Sequence, residues 1–187
     1  MSVHLFNSVS ILMAQKDSDF RRMKDLLLGF AESIDFDLDY QDFLLELSSL
    51  NTLYTPPSGA SFLLVDEGVA KGCIGIWQIK PGVAELKRFF IYPDAATGRN
   101  SRMMLEVAVD WARQSQFKKI RIEPDETMAA AVKHYRQAGF FEIQYPSEDP
   151  LKAKHSVFEL LLEQVPDFYK SRGYSFAGRS RLNILLG

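Results

Sequence analysis

The residues whose types could do chemistry fall in two stretches of the chain. In VAELKRFFIYP (residues 83–93), Glu85 stands in a β-branched and aromatic run that Pro93 closes, the composition of a strand. Side chains two apart on a strand share a face, so Glu85, Lys87, Phe89 and Ile91 are expected on one side. A carboxylate among Phe side chains is desolvated, which suits a general base near neutrality, worth about 10²–10⁴ in rate. The same Glu85 could instead pair with Lys87 or another cation at a sheet edge. In the helical stretch ETMAAAVKHYRQA, Tyr135 carries a phenol that could donate a proton. It could also pack on a sheet as an ordinary aromatic, with its hydroxyl bonded to a neighbour.

Between Pro93 and the next element lies DAATGRNS, a short turn that delivers the chain into a helix. From Ser101 onward Met104, Leu105, Ala108, Val109 and Ala112 recur at steps of three and four, the pattern of an amphipathic helix. A helix N-terminus presents unpaired N–H groups and positive potential, which favour a phosphate. Arg99 and Arg102 could each add a charge-assisted hydrogen bond worth about 1.5–3 kcal/mol. Asn100 tolerates left-handed φ better than most residues, and Ser101 is small and a good N-cap. The alternative is an ordinary strand–turn–helix junction with solvated arginines. The three histidines and the single cysteine show no metal-ligand spacing, so no metal is expected. His134 reads as a helix-surface residue and Cys73, inside GCIGIW, as core.

A chain of 187 residues suits one domain that buries roughly 70% of its unfolded surface. With 47% apolar and 25% charged residues it reads as a soluble globular protein. A net charge of −2 argues against a general nucleic-acid binder. One cysteine allows no internal disulfide, and a reducing, cytoplasmic location is expected. Neither a signal peptide nor an apolar run of ~20 residues is visible, so no membrane association is expected.

The elements that must position these residues follow in order. SVSILMAQ (8–15) reads as a strand, and Asp17 or Ser18 caps a helix through Ser33 with Phe20, Met23, Leu26, Leu27 and Phe30 as its apolar stripe. Asp39 caps a second helix, YQDFLLELSSL, and NTLYTPPSG is a turn-rich connection. SFLLVDEG and VAKGCIGIWQI form a hairpin with Asp66, Glu67 and Gly68 at its tip. FKKIRIE is a strand, and the helix containing Tyr135 stops at Gly139 in a left-handed cap. FFEIQY and HSVFELLLE are the last strands. The fold class is α/β (α+β), a mixed, mostly antiparallel sheet of six to seven strands flanked by about four helices.

ELKRFFIYP, a helix ending DWAR, then KKIRIE and AVKHYRQAGFFEI together resemble the GNAT superfamily of N-acetyltransferases. The resemblance covers about residues 8–163, leaving 164–187 as an extension packed on the domain or on a partner subunit. Its NILL segment could add a strand to a sheet edge or to a second copy, making a homodimer. The resemblance implies acetyl-CoA as co-substrate and direct transfer to an amine, with Glu85 as base through water. Tyr135 in YRQAGF, matching the family's Y-x-x-x-G-F, is implied as acid. Backbone groups of Phe89 and Ile91 would take the acetyl carbonyl and the pantetheine arm, and the turn from Gly98 to Arg102 the pyrophosphate. The family's R-G-x-G-x-G falls on Ala96 to Ser101, where its Arg is Ala and none of its three glycines is Gly. Forcing a non-Gly residue into left-handed geometry there would cost roughly 1–2 kcal/mol. Phe36, Tyr54 and Arg88 are the implied acceptor-side residues, Arg88 suiting an acidic acceptor or else forming a surface salt bridge. The implied acceptor is a small-molecule amine. A GNAT-like domain without catalysis, serving as acyl-CoA sensor or protein-interaction module, is the alternative.

Overall fold

A computed structural model of the chain describes residues 9–33, 40–124, 129–143 and 157–162. The elements run β1 (Ser10–Met13), α1 (Asp17–Ser33), α2 (Tyr40–Ser48), α3 (Leu50–Leu53), β2 (Gly59–Asp66), β3 (Val69–Lys80) and β4 (Val83–Ile91). They continue as α4 (Gly98–Gln114), β5 (Lys119–Ile122), α5 (Ala129–Gln137), β6 (Phe141–Ile143) and β7 (Val157–Leu161). The seven strands form one sheet in the order β1-β2-β3-β4-β5-β7-β6. Among the described strands only β4 and β5 are parallel. The expected order of elements is present, with one addition, the single turn α3 inside the stretch expected to be all connection.

Each face of the sheet has its own core. Under α4 and α5 lie Ile74, Ile76, Leu86, Ile120 and Phe158; under α1, α2 and α3 lie Leu63, Cys73 and Tyr54. The apolar stripe of α4 is buried at every expected position, from Met104 to Ala112. In α1, Phe20, Met23, Leu26 and Leu27 are buried and Phe30 packs its ring 4.8 Å from Phe90. The start of α1 differs from expectation. Neither Asp17 nor Ser18 makes the cap; the Asp19 carboxylate reaches back to accept from the Gln15 and Lys16 N–H groups.

The hairpin turns on Glu67 and Gly68, both with positive φ (48° and 82°), the two-residue geometry that matches strand twist. Gly139, at φ 93°, stops α5 as expected. The feature that matters most for the site is a bulge in β4. Cys73 pairs with Phe90 but Gly75 pairs with Lys87, so Arg88 and Phe89 together oppose one residue of β3. Arg88 sits there at φ 54°.

That bulge overturns one sequence expectation. Glu85 and Lys87 lie opposite Trp77 and Gly75, on the side of α1 to α3, whereas Phe89 and Ile91 pack into the core under α4. One inserted residue flips every side chain beyond it, so the four residues do not share a face. Asp39 and Phe36 lie outside the described residues, as do residues 163–187.

Candidate active site

The central opening of the sheet is made by β4 itself. β4 pairs with β5 through Val83, Ala84 and Glu85 only, and β5 ends at Ile122. From Leu86 to Ile91, the edge of β4 turned away from β3 has no strand partner among the described residues. The bulge supplies a cause, since an extra residue bends and twists its strand. Main-chain groups of Phe89 and Ile91 lie along this edge, where a closed sheet would have consumed them. A ligand lying there would meet preorganised backbone donors and acceptors.

Glu85 stands at the apex, the last residue of β4 paired with β5. Its side chain is 13% exposed. Its Oε2 accepts from Trp77 Nε1 at 3.1 Å and lies 3.5 Å from Lys87 Nζ. The expected Phe surroundings are replaced by an indole N–H and an ammonium, because the bulge carries Phe89 to the other face. Arg121, its neighbour in register on β5, directs Nη2 to Glu159 Oε1 at 3.1 Å. Glu85 is therefore central in the sheet rather than at an edge, and its near cation is Lys87.

Next in the chain after the opening comes the start of α4. The helix begins at Gly98, three residues earlier than expected, and the cap is Thr97 rather than Ser101. Thr97 Oγ1 accepts from Asn100 N–H at 3.1 Å, and Asn100 Nδ2 donates to the Ala95 carbonyl at 2.9 Å. None of residues 96–101 has a positive φ. The strain expected from replacing the family's glycines does not arise, and Asn100 serves as a buried tether instead of a left-handed residue. The first-turn amides of Gly98 and Arg99 have no acceptor among the described residues, the usual state of a helix N-terminus. Arg99 and Arg102 are exposed beside them, Arg102 with Glu106 at 3.9 Å. Ser101 N–H bonds to the Thr97 carbonyl, so its role is helical rather than capping. A groove of about 390 Å³ runs between α4 and α5, lined by Gly98, Arg102, Arg113, His134 and Gln137 among others. His134 is half-buried in that wall rather than fully on the surface.

Tyr135, on α5, is buried with its ring 6.0 Å from Phe140. Burial pushes its phenol up to about 12. The hydroxyl therefore stays protonated near neutrality and can act as a donor.

On the other face the structure unites two expected residues through a third that sequence reasoning missed. Arg88 is not in a surface salt bridge; it forks onto Glu46 of α2, Nε to Oε1 at 2.8 Å and Nη2 to Oε2 at 2.5 Å. Tyr54 donates its hydroxyl to the same Glu46 Oε1 at 2.5 Å. Burial pushes the Glu46 carboxyl up, but hydrogen bonds and charge from Arg88, with the Tyr54 hydrogen bond, win and hold it below the ordinary range. Burial and the neighbouring Glu46 carboxylate push the Tyr54 phenol up. Cys73, as expected, is core: burial pushes its thiol to about 12, and Sγ donates to the Arg88 carbonyl at 3.4 Å. These bonds hold the bulge, whose non-Gly positive φ costs of order 1–3 kcal/mol. Tyr54 also stacks on Trp77 at 5.5 Å, directly over Gly75, where a Cβ would overlap its ring. Sequence did carry a signal for Glu46: it falls on the helical stripe Phe43, Leu47 and Leu50, all buried, where a carboxylate needs a partner. With its charge spent on Glu46, Arg88 positions the bulge rather than an acidic acceptor.

A sheet opened beside one strand, with a capped helix N-terminus next in the chain, matches a known class. The pattern of the acetyltransferase (GNAT) family matches residues 20–140, and the chain belongs to that family. The chemistry indicated is thus acyl transfer. Among curated proteins none matches by sequence. Solved structures share the fold. An acetyltransferase of GNAT family from Staphylococcus aureus Mu50 is 17% identical with a TM-score of 0.68, over 83% of this chain and 99% of that one. The yncA protein of Salmonella typhimurium, solved with its cofactor acetyl-CoA, is 16% identical with a TM-score of 0.63, over 86% and 97%. The PaiA N-acetyltransferase of Thermoplasma acidophilum, in complex with coenzyme A, is 13% identical with a TM-score of 0.60, over 81% and 99%.

Proposed function

We propose that the protein is an N-acetyltransferase that moves the acetyl group of acetyl-CoA directly to the primary amine of a small molecule. The observation that carries this is the edge of β4 without a strand partner among the described residues, which starts just past Glu85 and is followed in the chain by the N-terminus of α4. The relatives solved with acetyl-CoA and coenzyme A support the choice of co-substrate. Amides of Gly98 and Arg99, with the Arg99 and Arg102 guanidinium groups, suit a pyrophosphate. Backbone groups of Phe89 and Ile91 would hold the thioester carbonyl and the pantetheine amides. Glu85 takes a proton from the amine through water, and the Tyr135 phenol donates to the departing thiolate. A reducing cytoplasm suits the free, buried thiol of Cys73.

Release of free coenzyme A from acetyl-CoA over a panel of primary amines tests this. On an amine that is turned over, Glu85→Gln should lower the rate by about 10²-fold or more. Tyr135→Phe should lower it too, mainly in kcat. Unchanged rates in both variants would contradict the assigned roles. Tight acetyl-CoA binding with no amine turned over would favour the acyl-CoA sensor.

A further inference from the structure

The chain already seats an amine where the proposed reaction needs one. Lys87 Nζ lies 3.5 Å from Glu85 Oε2 and 4.7 Å from the centroid of the Trp77 ring. A carboxylate and an indole π face together make a seat for an ammonium. We propose that Lys87 is an intramolecular acceptor, acetylated on Nζ by acetyl-CoA bound along β4, with Glu85 as the base. This rests on the acetyltransferase reading above.

An acceptor nitrogen must reach both the base and the thioester carbon. Lys87 satisfies the first condition directly, being two residues from Glu85 on the same side of β4. For the second, the open main-chain edge at Phe89 begins just past the bulge that follows Lys87, and the flexible four-carbon stem of lysine gives Nζ reach toward it. Its side chain is 34% exposed, and a 3.5 Å ion pair and the Trp77 face hold the ammonium without enclosing it. Tethering also replaces a bimolecular encounter, which removes part of the entropic barrier. The balance is simple. Nζ first loses a proton to solvent, and its lone pair attacks the thioester carbon. A second proton passes to Glu85 as the C–N bond forms and the C–S bond breaks. The thiolate leaves and takes a proton from Tyr135 or water. The products are Nε-acetyl-lysine at position 87 and free coenzyme A. The neutral amide no longer pairs with Glu85, so modification discharges the seat.

The test incubates the purified protein with acetyl-CoA and no amine, and follows intact mass with peptide mapping. One added acetyl group, about 42 Da, is expected on Lys87. It should form at least about tenfold faster than on the exposed Lys80 and Lys118, which pair with no carboxylate among the described residues. The rate per molecule should not change on dilution, and Glu85→Gln should slow it about 10²-fold. Lys87→Arg should abolish the modification while keeping the charge, with circular dichroism of both variants matching the parent. Lys87 reacting no faster than Lys80 and Lys118, or equally fast in Glu85→Gln, would overturn the proposal. Acetyl-CoA binding seen by calorimetry with no acetyl on Lys87 would sink this inference alone. Absence of binding would sink it together with the acetyltransferase reading.

Discussion

The two faces of the sheet are built on different principles. Under α4 and α5 the core is almost wholly apolar, and the prominent polar features of the face are main-chain groups: the first turn of α4 and the edge of β4 that has no strand partner among the described residues. Under α1, α2 and α3 a buried carboxylate, Glu46, gathers Arg88 and Tyr54, and Tyr54 stacks on the Trp77 that donates to Glu85. One face therefore offers a ligand chiefly the backbone, which any sequence of suitable shape can supply, with the Arg99 and Arg102 guanidinium groups and the Tyr135 phenol added to it. The other offers specific side chains held by one another. This explains how the turn ahead of α4 dispenses with all three family glycines while its geometry stays unstrained: what it presents is amides, and no residue there needs positive φ.

Breaking the charged face should have the largest effect. Glu46→Ala leaves Arg88 half-buried without its carboxylate, and a loss of about 3 kcal/mol is expected, the low end for buried pairs because Arg88 keeps 22% exposure. Urea unfolding measures it; a loss under about 1 kcal/mol would place the pair with ordinary surface bridges. The same pair sets a pH dependence. Glu46 titrates below its ordinary value of 4.5 in the folded chain, so its contribution is whole above that pH. It is lost as the pH falls through the folded value, where the carboxylate takes up its proton. Glu46→Gln should show a shallower acid decline in the urea midpoint than the parent.

Smaller effects sharpen the contrast. Gly75→Ala drives a methyl into the Tyr54 ring and should cost about 1–3 kcal/mol. On the other face Thr97→Ala removes a cap and should cost only about 1 kcal/mol. Arg102→Ala, whose contact with Glu106 is exposed and 3.9 Å long, should change stability by less than about 0.5 kcal/mol while weakening acetyl-CoA binding.

What the sequence disclosed followed the reach of local signals. The stripe of α4, the hairpin at Glu67 and Gly68 and the stop at Gly139 each depend on residues within a few positions of one another. The bulge at Arg88 does not. It is set by pairing with β3 and by Glu46, 42 residues earlier, so nothing in KRFFI marks it. Missing it placed Phe89 and Ile91 beside Glu85 and gave Glu85 a Phe environment. The start of α4 at Gly98 was hidden for a different reason: the first turn carries no apolar stripe, and Asn100 is buried by its bond to Ala95 rather than by hydrophobicity. Glu85, Tyr135, Tyr54 and Arg88 were each legible as candidates. The grouping of Glu85, Tyr54 and Arg88 through Glu46 and Trp77 needed the fold, as did the placing of Tyr135 on the opposite face.

The most direct test of the backbone face is calorimetric titration of acetyl-CoA into the protein and into Arg99→Ala/Arg102→Ala. Micromolar binding is expected, weakened about tenfold or more in the double variant, about 1.4 kcal/mol, with the remaining affinity supplied by the amides of α4 and the edge of β4. No binding at millimolar acetyl-CoA would contradict the account.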